Sequence, residues 1–271
     1  MLILSLDTST RAGSCALLRD ERVLREQGSD TSREQAERLP GELAALLEQQ
    51  SVALQDVDAF AVATGPGSYT GLRVGIATMQ GLAMATGKPL IGVSAFDALA
   101  MIGGSKRQDP PYGDTEPEDV GRVLLSRPGE FIATWIDAWR GEVFAAVYED
   151  GREVDAPAVA RPEHLLIRLT GQATVFTGDG AVRYQELIRA TLGDHARFTD
   201  PVNPPLAGTI ARLAGDAFRA GRRPPPHDIR TIYVRRPDVE LARDAARVFT
   251  AREADPTDET DAADRNGPRR I

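Results

Sequence analysis

Lysine is almost missing from this chain of 271 residues: Lys88 and Lys106 are the two among 32 basic residues. The other basic residues are arginines, and 40 acidic side chains leave a formal charge of −8. A free-standing nucleic-acid binder usually presents a basic face, so this balance argues against one. Cysteine is reduced to Cys15, in an apolar run, which excludes a disulfide within the chain and a zinc site built on cysteines. The three histidines, His164, His195 and His227, are scattered, with no His-x-x-x-His pair to hold a metal on a helix. No apolar run reaches the roughly 18 residues of a membrane span. The first residues lack the charged segment of a signal peptide, so the expected location is the cytoplasm. Neither a Gly-x-Ser-x-Gly elbow nor a Walker-type Gly-Lys-Ser/Thr is present, and no complete catalytic set is visible.

The content that is there, 42% hydrophobic, suits a globular protein of one large or two small domains. Leu2 to Leu6, Ser14 to Leu18 and Val23 to Glu26 read as a strand meander whose first turn, Asp7-Thr8-Ser9-Thr10, is rich in hydroxyls. Ser32 to Gln49 reads as a helix with Leu39, Leu43, Leu46 and Leu47 on one face, kinked or broken at Pro40. A strand over Val57 to Ala63 runs through a glycine-proline turn into a long helix, Tyr69 to Thr86. Strand Leu90 to Val93 follows, then a helix to Met101 capped by Ser94. A hairpin is expected from Phe131 to Tyr148, a strand over Ala173 to Thr177, helices over Tyr184 to Leu192 and Leu206 to Ala220, and a short strand over Ile232 to Val234. The segment 103–121 is Pro/Gly/acid-rich and reads as an insertion or linker; 250–271 is highly charged and reads as disordered. The pattern is an α/β chain of two similar halves: residues 1–102, completed by the helix at 206–222, and residues 122–205.

Three constellations carry chemical information. The first turn, Asp7 to Thr10, could bind a metal-phosphate group or cap itself. The turn holding Gly65, Gly67 and Ser68 at a helix start could offer bare N–H groups to phosphate, with Arg73 one helical turn on, or serve as a plain connection capped by Ser68 or Thr70. The helix that follows has an apolar stripe of Leu72, Ile76, Met79 and Leu82 and a small-residue stripe of Gly71, Gly75 and Thr78 that continues to Gly81 and Ala85. An interior helix glycine costs roughly 1 kcal/mol against alanine. Such a stripe therefore implies close packing, against a second protein or within the same chain. Two weaker features are the acid pair around the hairpin tip, Asp137 and Glu142, and the turn Gly178-Asp179-Gly180.

The run Leu4-Ser-Leu-Asp-Thr-Ser-Thr10, the block Thr64-Gly-Pro-Gly-Ser-Tyr-Thr-Gly-Leu-Arg-Val-Gly75 and Pro89-Leu-Ile-Gly-Val-Ser-Ala95 resemble the TsaB (YeaZ) family of tRNA threonylcarbamoyladenosine biosynthesis proteins. Asp137 to Val143, Gly178 to Ala181 and Ile232 to Pro237 are similar to later landmarks of that family. The resemblance implies the two-lobed fold shared by actin, sugar kinases and Hsp70-type ATPases. It also implies a non-catalytic scaffold that works with TsaD, which does the chemistry, and with the ATPase TsaE. Their joint product is threonylcarbamoylation (t6A) of the adenosine 3′ of the anticodon in tRNAs reading codons that begin with A. The helix carrying Gly71 to Ala85, with Leu43 and Leu47 of the helix before it, would face TsaD, or a second copy in a homodimer when the chain is alone. tRNA would be contacted mainly through partners, with no membrane, metal or cofactor in the isolated chain. The alternative within the same fold is an ATP-dependent small-molecule kinase or ATPase using Asp7 to Thr10, Gly65 to Ser68 and Gly178 to Gly180. An arrangement between the two holds ATP or ADP only at the boundary with TsaD.

Overall fold

The computed structural model describes residues 1–28, 35–104 and 129–234. The tail expected at 250–271, and the expected insertion from residue 105 onward, lie outside the described residues. Gly103 and Gly104 are not linker: they end a helix.

The chain begins with strands β1 (Leu2–Asp7), β2 (Ser14–Arg19) and β3 (Arg22–Gly28), then helix α1 (Gln35–Gln49). Next come β4 (Ala59–Gly65), α2 (Tyr69–Thr86), β5 (Leu90–Ser94) and α3 (Ala95–Gly104). The second half supplies β6 (Phe131–Asp137), β7 (Val143–Glu149), β8 (Arg152–Ala160), α4 (Pro162–Arg168) and β9 (Thr174–Thr177). It closes with α5 (Asp179–Arg183), α6 (Gln185–Leu192), β10 (Ala196–Phe198) and α7 (Ala207–Arg219). The strands make two five-stranded sheets, ordered β3-β2-β1-β4-β5 and β10-β9-β6-β7-β8. In each, the central strand pairs antiparallel with its hairpin partner and parallel with a later strand. The α/β class and the duplicated mixed sheets expected from the sequence are thus present.

Strand β1 is buried along its whole length because both faces of its sheet are covered. Successive strand residues point to opposite faces. Leu4 and Leu6, with Leu17, meet α1 and α2 through Leu39, Leu46, Ile76 and Met79. Ile3, with Leu18 and Ala61, meets α3 and α7 through Leu99, Ile210 and Ala214. In the second sheet Trp135 and Phe176 are fully buried and pack edge-to-face, with ring centroids 5.3 Å apart.

Several details depart from the sequence reading. Helix α1 runs unbroken through Pro40. Pro40 has no N–H to give, which leaves out one bond, to the Ala36 carbonyl; the expected start at Ser32 lies outside the described residues. Strands β8 and β10 and helix α4 had no expectation at all. The helix expected over 184–192 is α6, and a short helix, α5, precedes it where only a turn was expected. Ile232 to Val234 is not a strand: a single backbone bond, from the Ile232 N–H to the Thr64 carbonyl at 2.7 Å, ties it down.

Candidate functional site

The two turns read as phosphate candidates come together, but onto each other. The Ser68 N–H donates to the Ser9 carbonyl at 2.7 Å. Gly67 lies so close that a Cβ there would sit 2.2 Å from that carbonyl oxygen. On the other side, a Cβ on Gly75 would sit 2.2 Å from Thr8 Oγ1. Asp7, Thr8, Ser9 and Thr10 are all buried, and the Ser9 N–H closes the turn on Asp7 Oδ1 at 2.9 Å. Ser68 caps α2 by accepting from the Gly71 N–H. A phosphate needs convergent open donors. Here the Ser9 and Ser68 N–H groups already have protein partners, and Gly65 adjoins the Ile232 carbonyl. Arg73 is not part of this cluster; it lies on the outer face of α2. The eight residues named for phosphate therefore do not fit a nucleotide as they are arranged. Among the described residues the buried Thr8 hydroxyl has no hydrogen-bond partner, and it points at the α2 backbone rather than at an opening.

Two turns of the second half meet through acids. The Asp137 N–H donates to Asp179 Oδ1 at 2.9 Å, and Asp137 pairs with Arg183 at 3.3 Å. The Glu142 N–H bonds to the Trp139 carbonyl at 3.0 Å, closing the hairpin tip around Arg140 and Gly141, both with positive φ as a tight two-residue turn demands. Burial, more than the nearby charges of Asp137 and Asp7, pushes the Asp179 carboxyl up to about 6. Burial likewise pushes Asp7 above the usual carboxylate range. A raised acid pKa means that folding favours the protonated form. The stability Asp179 contributes is present below its unfolded value near 3.8 and is lost as pH rises through about 6. Asp179→Asn keeps the acceptor for Asp137 and removes that loss. The expected result is a melting temperature roughly 3 °C or more above wild type at pH 7.5, the gap closing by pH 4. Parallel thermal melts across this range check it; a gap that is constant with pH would refute the assignment. Among the described residues no three acids, histidines or cysteines come together to hold a metal.

The residues named for a partner interface divide sharply. Gly71, Leu72, Gly75, Ile76 and Met79 are buried within the chain's own fold, as are Leu43 and Leu47 of α1. Thr78 and Leu82 are half-buried; Gly81 and Ala85 are exposed. The reading of Gly71 and Gly75 as an outward docking stripe is corrected by this placement: they let the β1–β2 turn approach α2. The outward face of α2 is the neighbouring row, Tyr69, Arg73, Ala77, Gly81 and Ala85, at i+4 spacing. Beside it Met84 is 66% exposed. The sequence reading missed Tyr69, Ala77, Met84 and Tyr233. For the three on α2 the signal was the helical wheel itself, which shows two small-residue rows but not which one faces inward; Tyr233 left no local signal. No named site residue lines the groove of about 990 Å3 between α3, α7 and the β7–β8 turn, where the Tyr148 hydroxyl donates to Asp97 at 2.8 Å.

Among the described residues no helix is long and apolar enough to cross a membrane. A family model described as TsaD, tRNA N6-adenosine threonylcarbamoyltransferase, matches residues 27–114. The chain is 35% identical over 189 residues to the tRNA threonylcarbamoyladenosine biosynthesis protein TsaB of Escherichia coli, covering 66% of this chain and 72% of that protein. An uncharacterised Mycobacterium leprae protein is 28% identical over 243 residues; the match takes in 88% of this chain but 56% of that longer protein. The solved structure of YeaZ from Pseudomonas aeruginosa superposes with a TM-score of 0.65 at 30% identity, over 86% of this chain and 99% of that one.

Proposed function

The chain belongs to the TsaB (YeaZ) family, and from that premise we propose that it serves t6A biosynthesis as a docking subunit for a TsaD-type transferase. One observation carries the reading: the outward row of α2, small at Ala77 and Gly81 with apolar Met84 beside it, is left uncovered by the described residues. A row of small side chains lets a second helix approach closely, and an exposed methionine adds area to bury. The lobe that docks is the first sheet with its helices.

The reaction itself falls to the partner in this reading. The described residues offer neither a metal-binding cluster nor an open phosphate cradle, so a separate kinase or ATPase activity gains no support from them. Any ATP or ADP would sit at the boundary between the two subunits. TsaE joins the pair, and tRNA meets the assembly through the partners, in keeping with the charge of −8.

Reconstitution tests this. Purified TsaC, TsaD and TsaE with threonine, bicarbonate, ATP and an unmodified tRNA should form t6A only when this chain is added. Equal t6A yield without it would sink the proposal.

A further inference from the structure

Three side chains from two distant parts of the sequence form a preassembled cluster at the N-terminal end of the outward α2 row. The Arg73 guanidinium lies over the Tyr69 ring, with its carbon 4.2 Å from the ring centroid. Its Nε donates to the Tyr233 hydroxyl at 3.3 Å. The two tyrosine rings are 5.6 Å apart and tilted by 35°. Tyr233 is held there by the segment that carries it. Gln80 of α2 donates to the Pro226 carbonyl at 2.8 Å, and the Ile232 N–H bonds to Thr64. Tyr69 and Tyr233 nevertheless remain 45% and 44% exposed.

We propose that this Tyr69–Arg73–Tyr233 cluster is a carboxylate-binding anchor, recognising an Asp or Glu presented by a helix of the protein partner that covers α2. The proposal rests on the docking reading above and adds the chemistry of recognition. The guanidinium has one ring face and its Nε engaged, while neither terminal nitrogen has a partner among the described residues. Its contacts among the described residues are the two tyrosines, and none of them is an ion pair. The end-on fork of the two terminal nitrogens, held in a fixed plane, matches a carboxylate bidentately. Because the aromatic rings already hold the side chain, little rotamer freedom is lost on binding. Tyrosine and arginine are also the residue types that most often dominate interface energetics. A nucleic-acid phosphate would fit the same fork. The chain's charge of −8 opposes a polyanion, and the row beyond Arg73, with Ala77 and Gly81, is small and uncharged. That surface suits a packed helix better than a hydrated phosphate backbone.

The experiment measures binding of the full chain to the purified TsaD-type partner by calorimetry at several salt concentrations, with Arg73→Ala, Arg73→Lys and Tyr233→Phe beside wild type. Arg73 is exposed, so unchanged thermal melts will show that the variants fold. Arg73→Ala is expected to weaken binding at least about tenfold and to flatten its salt dependence. Arg73→Lys should recover part of that loss, since it keeps the charge but not the fork, and Tyr233→Phe should cost a few-fold. If wild type binds and Arg73→Ala binds within twofold of it, the anchor is refuted while the docking reading stands. If wild type does not bind the partner, the docking reading fails and the anchor with it. If Arg73→Ala leaves partner binding intact but weakens retention of tRNA in a gel-shift assay, the ligand is phosphate and the proposal is overturned.

Discussion

Gly75→Leu is expected to prevent folding, not merely to detach the chain from a partner. A Cβ at this position would lie 2.2 Å from Thr8 Oγ1, 2.9 Å from its Cγ2 and 3.1 Å from its Cβ. Thr8 is fully buried, so its side chain cannot swing out into solvent. Replacing a helix glycine returns roughly 1 kcal/mol of propensity. Even one extra methylene in a filled core costs about 1–3 kcal/mol, and leucine adds four carbons. The net is of order 3 kcal/mol or more, a large part of the 5–15 kcal/mol that holds a typical domain. Gly75→Leu should therefore be recovered in low soluble yield or melt many degrees early. Gly75→Ala should destabilise less, and Thr8→Gly in the same molecule should restore part of its loss, because the clash is with that one side chain. A Gly75→Leu protein with a wild-type melting temperature and no partner binding would place this glycine on the surface and overturn the assignment.

Gly81→Arg is expected to do the opposite: keep the fold and abolish the complex. Gly81 is exposed in the interior of α2, and a Cβ there meets nothing within 4 Å. Losing the glycine should raise the melting temperature slightly or leave it unchanged. A long charged side chain in the middle of the small row would hold a partner helix away and bury an unpaired charge. The expected loss is at least about 100-fold in affinity for the TsaD-type partner. t6A formation should fall in parallel at limiting subunit concentration. Gly81→Ala, which adds one methyl group, should be tolerated far better. Full-strength binding by Gly81→Arg would mean that the partner meets another surface.

These two glycines on one helix show what the sequence could and could not tell. Periodicity gave the bounds of α2 correctly, from Tyr69 to Thr86. It also showed that two rows of small residues run side by side. Which row is covered depends on the β1–β2 turn, some 60 residues earlier, and that is a tertiary fact. The α/β class, the hairpins and the duplicated order were readable because alternation, glycine turns and caps are local. Strand β8 escaped because Arg152–Ala160 is an edge strand, largely exposed, with Pro157 and three charged residues in place of an apolar run. The Asp7 and Gly65–Ser68 turns were correctly singled out as special, and the structure brings them together. Their glycine and hydroxyl content serves contact between backbones, a purpose that looks the same in sequence as an anion cradle. Tyr233 escaped because its partner, Arg73, lies far away along the chain.

The seam between the Ser9 carbonyl and the Gly67–Ser68 backbone has a mechanical implication. It couples the tip of the first hairpin to the head of α2, so the two must travel as one piece. Force delivered to α2 by a docked neighbour is conducted straight into the strand that ends at Asp7.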